Sequence, residues 1–183
     1  IKSGDSKIVI AGGQENMSLA PHAVYLRDGK KLGDTAMTDT MIKDGLWDAF
    51  HGYHMGVTAE NVAEKFQITR KEQDKFALTS QEKALKAQKQ NKFKAEIINC
   101  KISSKKADID FNKDEHPREG INLDALSRLK PVFKKDGTVT AGNASGINDG
   151  AAAVTLMSSK EADKKNIKKL VSIKSWASCG VDP

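Results

Sequence analysis

Two short apolar runs, far apart in the sequence, constrain the fold of this chain most strongly. Residues 7–11 form one run, which Gly12 and Gly13 close, and residues 151–157 form the other. Apolar runs of this length, bounded by glycine or polar residues, are typical of buried strands. Most of the 183 residues lie between the two runs. We therefore predict a mixed α/β fold in which a long segment is inserted between strands of one sheet.

Local patterns predict further elements inside and after this insertion. Residues 39–50 place apolar side chains at helical spacing behind a capping aspartate. Residues 69–90 and 158–166 each open with the Ser/Thr-x-x-Glu capping box that starts helices. Apolar residues alternate over residues 170–177, which predicts a last strand.

The positive charge is concentrated in the middle of the chain. The net charge is +6, and residues 64–135 hold 18 Lys and Arg against 11 Asp and Glu. Such a surplus attracts the phosphates of a nucleic acid, a membrane surface or a small molecule, and it is also typical of a solvated helix face. Aromatic residues make up 5% of the chain, too few for the stacking platforms of single-strand binders. A nucleic-acid binder stays an alternative.

Composition excludes several other classes. The chain has no run of about 18 apolar residues, so it is not expected to span a membrane. Cys100 and Cys179 are its two cysteines, which excludes a disulfide scaffold and favours a reducing compartment such as the cytoplasm. We expect a buried, inert thiol at each. The histidines and cysteines lack metal-ligand spacing, so no metal site is expected.

Residues 138–150 form the most informative stretch. Glycines recur every four residues at Gly142, Gly146 and Gly150, with alanine, serine and asparagine among the residues between them. Small side chains let a narrow ligand run close to the backbone, and a serine hydroxyl can bond one of its amides. The stretch lacks the Gly-Lys-Ser/Thr of a P-loop. An ordinary turn into a strand is the alternative.

Two further places hold candidate ligand-binding residues. His54 and Met55 lie between glycines, where an imidazole beside a flexible thioether suits a pocket with polar and apolar parts. Arg118 lies in a loop of the basic segment, where a guanidinium can pair with phosphate. Each also fits a structural role: a histidine and a methionine of the interior, and a surface arginine beside Glu119.

Together these stretches resemble the biosynthetic thiolases, the acetyl-CoA acetyltransferase family. The Asn-Ala-Ser-Gly run with the Asp-Gly-Ala-Ala that follows it, and the His-Met pair, are the most specific matches. The matching pieces follow one another along nearly the whole chain, at residues 11–18, 39–45, 52–56, 58–63, 72–74, 80–81, 138–146, 148–152 and 175–177.

The resemblance implies a thiolase-like α/β fold of two similar halves in stacked layers, with a loop domain inserted in the first half. We expect residues 1–16 and 148–168 to belong to the N-terminal half and residues 17–147 to form the inserted, CoA-binding α+β loop domain. Residues 169–183 would begin the C-terminal half. Residues 22–36 resemble the loop through which these enzymes form homotetramers.

The resemblance also implies a reaction. Thiolases condense two acetyl-CoA to acetoacetyl-CoA, or run the reverse thiolysis, through an acyl-cysteine intermediate. The CoA thioesters are substrates, so no cofactor is expected, and neither a nucleic acid nor a membrane is an expected partner. Eight residues match the family's substrate-binding pattern: Leu46 and Phe133 packing on CoA, His54 and Met55 at the acyl end, Ala141, Ala144 and Ser145 along the pantetheine, and Arg118 near the nucleotide. The methionine at this position blocks long acyl chains in the family, which implies short substrates.

The family's catalytic groups have no match in this sequence. The nucleophilic cysteine belongs before Ile1, and a second histidine and second active cysteine belong after Pro183, while Cys100 and Cys179 match neither cysteine. Ala125 stands where relatives often carry a small hydroxyl residue near the nucleotide. We expect an internal piece of an enzyme that is inactive alone and exposes apolar strand faces. A non-catalytic thiolase-like module that binds CoA thioesters or lipid is the alternative.

Overall fold

The computed structural model describes residues 1–105 and 107–182. Lys106 and Pro183, the last residue of the expected C-terminal segment, lie outside the described residues. The chain forms two compact units, one from its two ends and one from its middle: Ile1–Leu46 with Ile147–Pro183, and Trp47–Gly146. The expected domain boundaries near residues 16, 147 and 168 stay predictions.

Helices and strands alternate irregularly along the described chain. The strands are β1 (Ile8–Glu15), β2 (His22–Ala23), β3 (Thr38–Asp39), β4 (Trp47–Asp48), β5 (Tyr53–His54), β6 (Cys100–Ile102), β7 (Ile109–Phe111) and β8 (Gly150–Met157). The helices are α1 (Met55–Lys65), α2 (Arg70–Lys89), α3 (Leu123–Ser127) and α4 (Ser159–Lys164), with a π-helical turn at Met41–Leu46. Among the described helices, none combines the length and apolarity needed to cross a bilayer.

The first unit is built on the antiparallel pair β1–β8. Ile8 lies opposite Met157 at one end of the ladder. Gly12 is needed inside it, because a Cβ there would lie 2.6 Å from the carbonyl oxygen of Ala152. Both strands were predicted, but the expected burial is wrong: Ile10 is 76% exposed. The described residues place no third strand beside this pair, which leaves its apolar side chains in contact with solvent.

The predicted helix over residues 39–50 is wrong. Met41–Leu46 forms a π-helical turn, and the chain then reverses so that β4 pairs with β5. The reversal is stabilised by Asp48, whose carboxylate accepts the backbone N–H groups of Phe50 and His51 at 3.1 and 2.9 Å. These bonds compete successfully with helical hydrogen bonds, as aspartate side chains often do in turns.

The predicted strand over residues 170–177 is also wrong. In the structure these residues have no regular secondary structure, and Leu170 and Trp176 are 88% and 71% exposed. A strand needs a hydrogen-bonded neighbour, and among the described residues none pairs with this segment. By contrast, both capped helices are confirmed, because their start signals are local.

Helix α2 shows how local those signals are. Thr69 Oγ1 accepts the N–H of Glu72 at 3.3 Å, and the Glu72 carboxylate accepts the N–H of Thr69 at 2.8 Å. This is the reciprocal capping box that the sequence predicts. The hydrogen bonds from Thr69 lower the pKa of Glu72.

Glu60, inside α1, anchors the glycine- and alanine-rich stretch in the second unit. Its carboxylate is buried and accepts the N–H groups of Thr138 and Val139, both at 2.8 Å, and the Thr138 hydroxyl at 2.8 Å. Burial raises the pKa of Glu60, but these bonds, with the charge of Lys134, lower it by more, so that the net pKa lies below 4.5. A Cβ on Gly137 would overlap the carboxylate, so glycine is needed beside the anchor.

Asp74, inside α2, is a second buried anchor for the same stretch. It accepts Arg70 Nε at 2.8 Å and the side-chain amide of Asn143 at 3.0 Å. Arg70 also donates to the carbonyl oxygens of Leu126 and Leu129, at 2.6 and 3.0 Å. One ion pair therefore joins α2, the end of α3 and the stretch after Thr138.

Replacing Glu60 by glutamine is expected to lower the free energy of unfolding by about 2–3 kcal/mol, because a buried amide cannot accept all of these donors. Urea unfolding at neutral pH measures the change. Glu64→Gln, four residues along the same helix, is the matched control. Glu64 faces solvent and lies 3.4 Å from Lys134, so its loss should cost less than about 0.5 kcal/mol. Equal stability of Glu60→Gln and the wild type would contradict the anchor.

The same carboxylate predicts a pH dependence. Because the folded-state pKa of Glu60 lies below the ordinary 4.5, the unfolded state binds more protons between the two values. The stabilisation is fully present above about pH 4.5 and is lost as the pH falls through the folded-state pKa. Acidification from about pH 5 to about pH 3 should therefore cost Glu60→Gln less stability than it costs the wild type. Urea midpoints across this range test the difference, and parallel curves would count against it.

Candidate functional site

His54 is held at two points of its ring. Its Nδ1 accepts the N–H of Gly56 at 2.9 Å and so caps the N-terminus of α1. An accepting Nδ1 leaves the proton of the neutral ring on Nε2, which can donate to a ligand. The ring stacks on Phe133, with 4.7 Å between centroids and 22° between ring planes. The half-buried imidazole is therefore fixed in tautomer and in orientation.

Phe133 can lie against the start of α1 only because the helix carries Gly56. A Cβ at Gly56 would overlap the Phe133 ring. Met55, the first residue of α1, is 54% exposed. The structure therefore brings a fixed imidazole and an aromatic ring together at a helix N-terminus, where an accessible thioether begins the helix. Such a group of side chains suits a ligand with both amide and hydrocarbon parts.

The stretch that Glu60 and Asp74 anchor, residues 138–146, forms a tight turn. Thr140 is completely buried, its N–H donates to Asn143 Oδ1 at 2.7 Å, and its hydroxyl accepts the N–H of Gly142 at 3.2 Å. A Cβ on Gly142 would lie 2.5 Å from the Leu126 side chain. The turn thus depends on glycine where α3 packs against it and on the asparagine at its centre.

This turn presents the predicted small residues to solvent. Ala141, Ala144 and Ser145 are all exposed. The backbone N–H of Val132 donates to the carbonyl of Val139 at 3.0 Å, which ties the Phe133 segment to the start of the turn. An exposed ridge of small side chains on a rigid turn lets an extended ligand lie close to the backbone.

The other two candidates lie elsewhere. Arg118 is exposed in the loop before α3, where its backbone N–H donates to Gln81 Oε1 on α2 at 2.9 Å. Its guanidinium is available to bind an anion, because no ion pair among the described residues includes it. Leu46 is half-buried at the end of the π-helical turn, in the first unit.

The cysteines do not belong to the group formed by His54, Phe133 and the turn of residues 138–146. Both Cys100, in β6, and Cys179 are exposed, so the expected burial is wrong. A thiol on an edge of a two-stranded sheet or in an unpaired segment has no interior to enter. Within the described residues, no group of three or more His, Cys, Asp or Glu side chains could hold a metal ion.

The anchors Glu60 and Asp74 were not among the predicted site residues. The position of Glu60 could have indicated its role, because helical spacing places Glu60 on the same face of α1 as Gly56 and Ala63, and that face is buried. An acid within a buried helical stripe must have hydrogen-bond donors nearby. Which donors these are is a long-range fact that helical spacing does not supply.

Comparison with known proteins gives the family and the fold of the chain. The thiolase N-terminal domain family matches residues 1–160. An acetyl-CoA acetyltransferase of Rhizobium meliloti is 57% identical over all 183 residues, and the cytosolic acetyl-CoA acetyltransferase of Rattus norvegicus is 53% identical over the whole chain. The solved acetyl-CoA acetyltransferase of Syntrophomonas wolfei superposes with a TM-score of 0.83 at 46% identity, covering 91% of this chain and 42% of that one.

The chain spans about half the length of the relatives that it matches, 47% for both the Rhizobium and the Rattus proteins. The mixed helix-and-strand structure and its superposition confirm the expected thiolase-like fold, here the N-terminal part of it. Both the family match and the identity across the full chain support one conclusion. This chain belongs to the thiolase family.

Proposed function

We propose that the protein containing this chain is an acetyl-CoA C-acetyltransferase, and that the chain supplies much of its CoA-binding face. One observation carries the proposal: a relative with that name is 57% identical over the entire chain. The structure supports it by assembling His54, Phe133 and the turn of residues 138–146 in one unit.

The proposed reaction is a Claisen condensation of two acetyl-CoA. A cysteine thiolate takes the acetyl group of the first thioester and releases CoA as its thiolate leaving group. A base removes an α-proton of the second acetyl-CoA, and the enolate carbon attacks the acyl-cysteine to give acetoacetyl-CoA and free cysteine. Thiolysis runs the same steps in reverse. We assign the nucleophile and the base to parts of the protein outside this chain. CoA thioesters are substrates, so the proposal includes no cofactor.

Within the chain, the proposed roles follow the exposed groups. His54 Nε2 donates to the substrate near its acyl end, Met55 limits the acyl chain, and Phe133 packs on the pantetheine. The pantetheine arm lies along the small residues of the turn, where Ser145 offers a hydroxyl to one of its amides. For Leu46, the family's pattern supports an apolar contact with CoA.

The basic segment fits the nucleotide end of CoA. Arg118 carries an exposed guanidinium in a loop of the segment with the surplus of Lys and Arg. Phosphates of CoA carry negative charge that a guanidinium binds through paired hydrogen bonds. Ala125 offers no hydroxyl there, so fewer polar contacts to the nucleotide are proposed.

We also propose a homotetramer in the cytoplasm. Residues 22–36 are exposed throughout, with apolar side chains among them: Leu32 is 93% exposed and Tyr25 73%. Apolar side chains so fully exposed on one segment favour a protein contact. The cytosolic Rattus norvegicus relative supports the location.

Thiolysis of acetoacetyl-CoA by free CoA in the presence of the full-length protein tests the function. The reaction is monitored by the loss of the enolate absorbance of acetoacetyl-CoA. Turnover that yields two acetyl-CoA is the expected result. A protein that binds CoA thioesters without turning them over would instead be the non-catalytic module. Binding to nucleic acid that falls steeply with salt and ignores CoA would overturn the proposal.

Met55→Ala is expected to widen acyl specificity, because it removes the thioether at the acyl end. The ratio of kcat/KM for 3-ketohexanoyl-CoA to that for acetoacetyl-CoA should rise about tenfold or more. Val62→Ala on the same helix is the control, since Val62 is also an exposed apolar residue, at 44%. An unchanged ratio in Met55→Ala would remove Met55 from the acyl site.

A further inference from the structure

Asp48 organises the loop that precedes His54. Its side chain is only 9% exposed, and its carboxylate accepts the N–H of Phe50 at 3.1 Å and the N–H of His51 at 2.9 Å. The same carboxylate meets His51 Nδ1 at 2.8 Å. Its backbone carbonyl accepts the N–H of Gly52 at 2.9 Å, and Gly52 has a φ of +73°, which favours glycine. One residue thus closes the whole turn.

The turn sets the backbone position of His54. It joins β4 to β5, in which Trp47 lies opposite His54 and Asp48 opposite Tyr53. The Tyr53 hydroxyl accepts the side-chain amide of Asn61 on α1 at 3.2 Å. A two-residue ladder is too short to hold its own register, so the turn and this bond to α1 must hold it.

His51 completes the arrangement from the solvent side. Its ring is 51% exposed and lies 5.7 Å from the Tyr53 ring, centroid to centroid. With Nδ1 donating to Asp48, the imidazole adds a third bond to the carboxylate. Because the ring is half in water, we expect this bond to contribute less than the two backbone bonds.

We infer that Asp48 is a positioning residue for His54, the substrate-contacting histidine of the proposed function, on which this inference rests. Asp48 closes the turn, the turn fixes the register of β4 and β5, and the register delivers the His54 ring to Gly56 and Phe133. His51 assists by holding the carboxylate. Loss of Asp48 therefore weakens substrate binding through His54 without removing any group that touches substrate.

A double-mutant cycle in the full-length protein tests this, with acetoacetyl-CoA and CoA as substrates. Asp48→Ala should raise the KM for acetoacetyl-CoA about tenfold while kcat changes less than threefold. Asp48→Asn should give an intermediate KM, because its amide oxygen still accepts a backbone N–H. In a His54→Ala background, Asp48→Ala should change the KM less than twofold, since the group that it positions is gone. Asp108→Asn, an exposed aspartate of the same unit, should change nothing.

The outcomes separate this inference from the proposed function. If the wild type turns over substrate and Asp48→Ala has the same effect with and without His54, Asp48 is merely structural and the inference is wrong. If the wild type binds the thioester without turnover, the same cycle is run on its Kd, with the same expected pattern. A wild type that neither binds nor cleaves overturns both. Should Asp48→Ala not fold, as circular dichroism would show, the Asp48→Asn and His51→Ala variants carry the cycle.

Discussion

Two buried carboxylates, Glu60 on α1 and Asp74 on α2, hold the second unit together around the turn of residues 138–146. A carboxylate can only accept hydrogen bonds, and its burial is costly unless donors surround it. Glu60 obtains its donors from the backbone and hydroxyl of that stretch, and Asp74 obtains them from Arg70 and Asn143. No buried side-chain nitrogen or oxygen of the described residues lacks a hydrogen-bond partner. The anchors therefore fix the turn without an unsatisfied polar atom.

The proposed CoA-binding face depends on those anchors through α1. The helix carries His54 at its N-terminus and Glu60 six residues further along, so one rigid element positions both the imidazole and the start of the turn. Phe133 is tied to both, by stacking on His54 and by the backbone bond between the neighbouring Val132 and Val139. The exposed small residues of this turn do not need to hold its backbone, because the buried Thr140 and the half-buried Asn143 hold it through their hydrogen bonds.

Sequence predicts those parts of this fold whose causes are local. The start of α2 was predictable because Thr69 and Glu72 bond to each other. Strands β1 and β8 were predictable because each is an apolar run, although the two lie far apart in the sequence. The chain reversal after the π-helical turn was not predictable. The sequence pattern there is helical, but the Asp48 carboxylate binds backbone N–H groups that a helix would use. Residues 170–177 have the alternation of a strand, yet alternation supplies no neighbour to pair with.

The candidate site likewise has parts that the sequence predicts and parts that only the structure shows. The His-Met pair and the Asn-Ala-Ser-Gly run were singled out from their residue types, and the resemblance then implied their roles. The structure adds why they are rigid. The stacking of His54 on Phe133 and the hydrogen bond from Asn143 to Asp74 join residues far apart in the chain, and no spacing rule predicts such contacts. The β1–β8 pair also shows the limit of composition: an apolar run predicts a strand, while its burial depends on what packs against it.

Amide hydrogen exchange in the full-length protein tests the central account most directly. The N–H groups of Thr138 and Val139 donate to the buried Glu60 carboxylate, so they should exchange as slowly as amides in the middle of α2. The amides of the exposed Ala144 and Ser145 should exchange much faster. If Thr138 and Val139 exchange as fast as Ala144 and Ser145, the carboxylate does not hold the turn and the account is wrong.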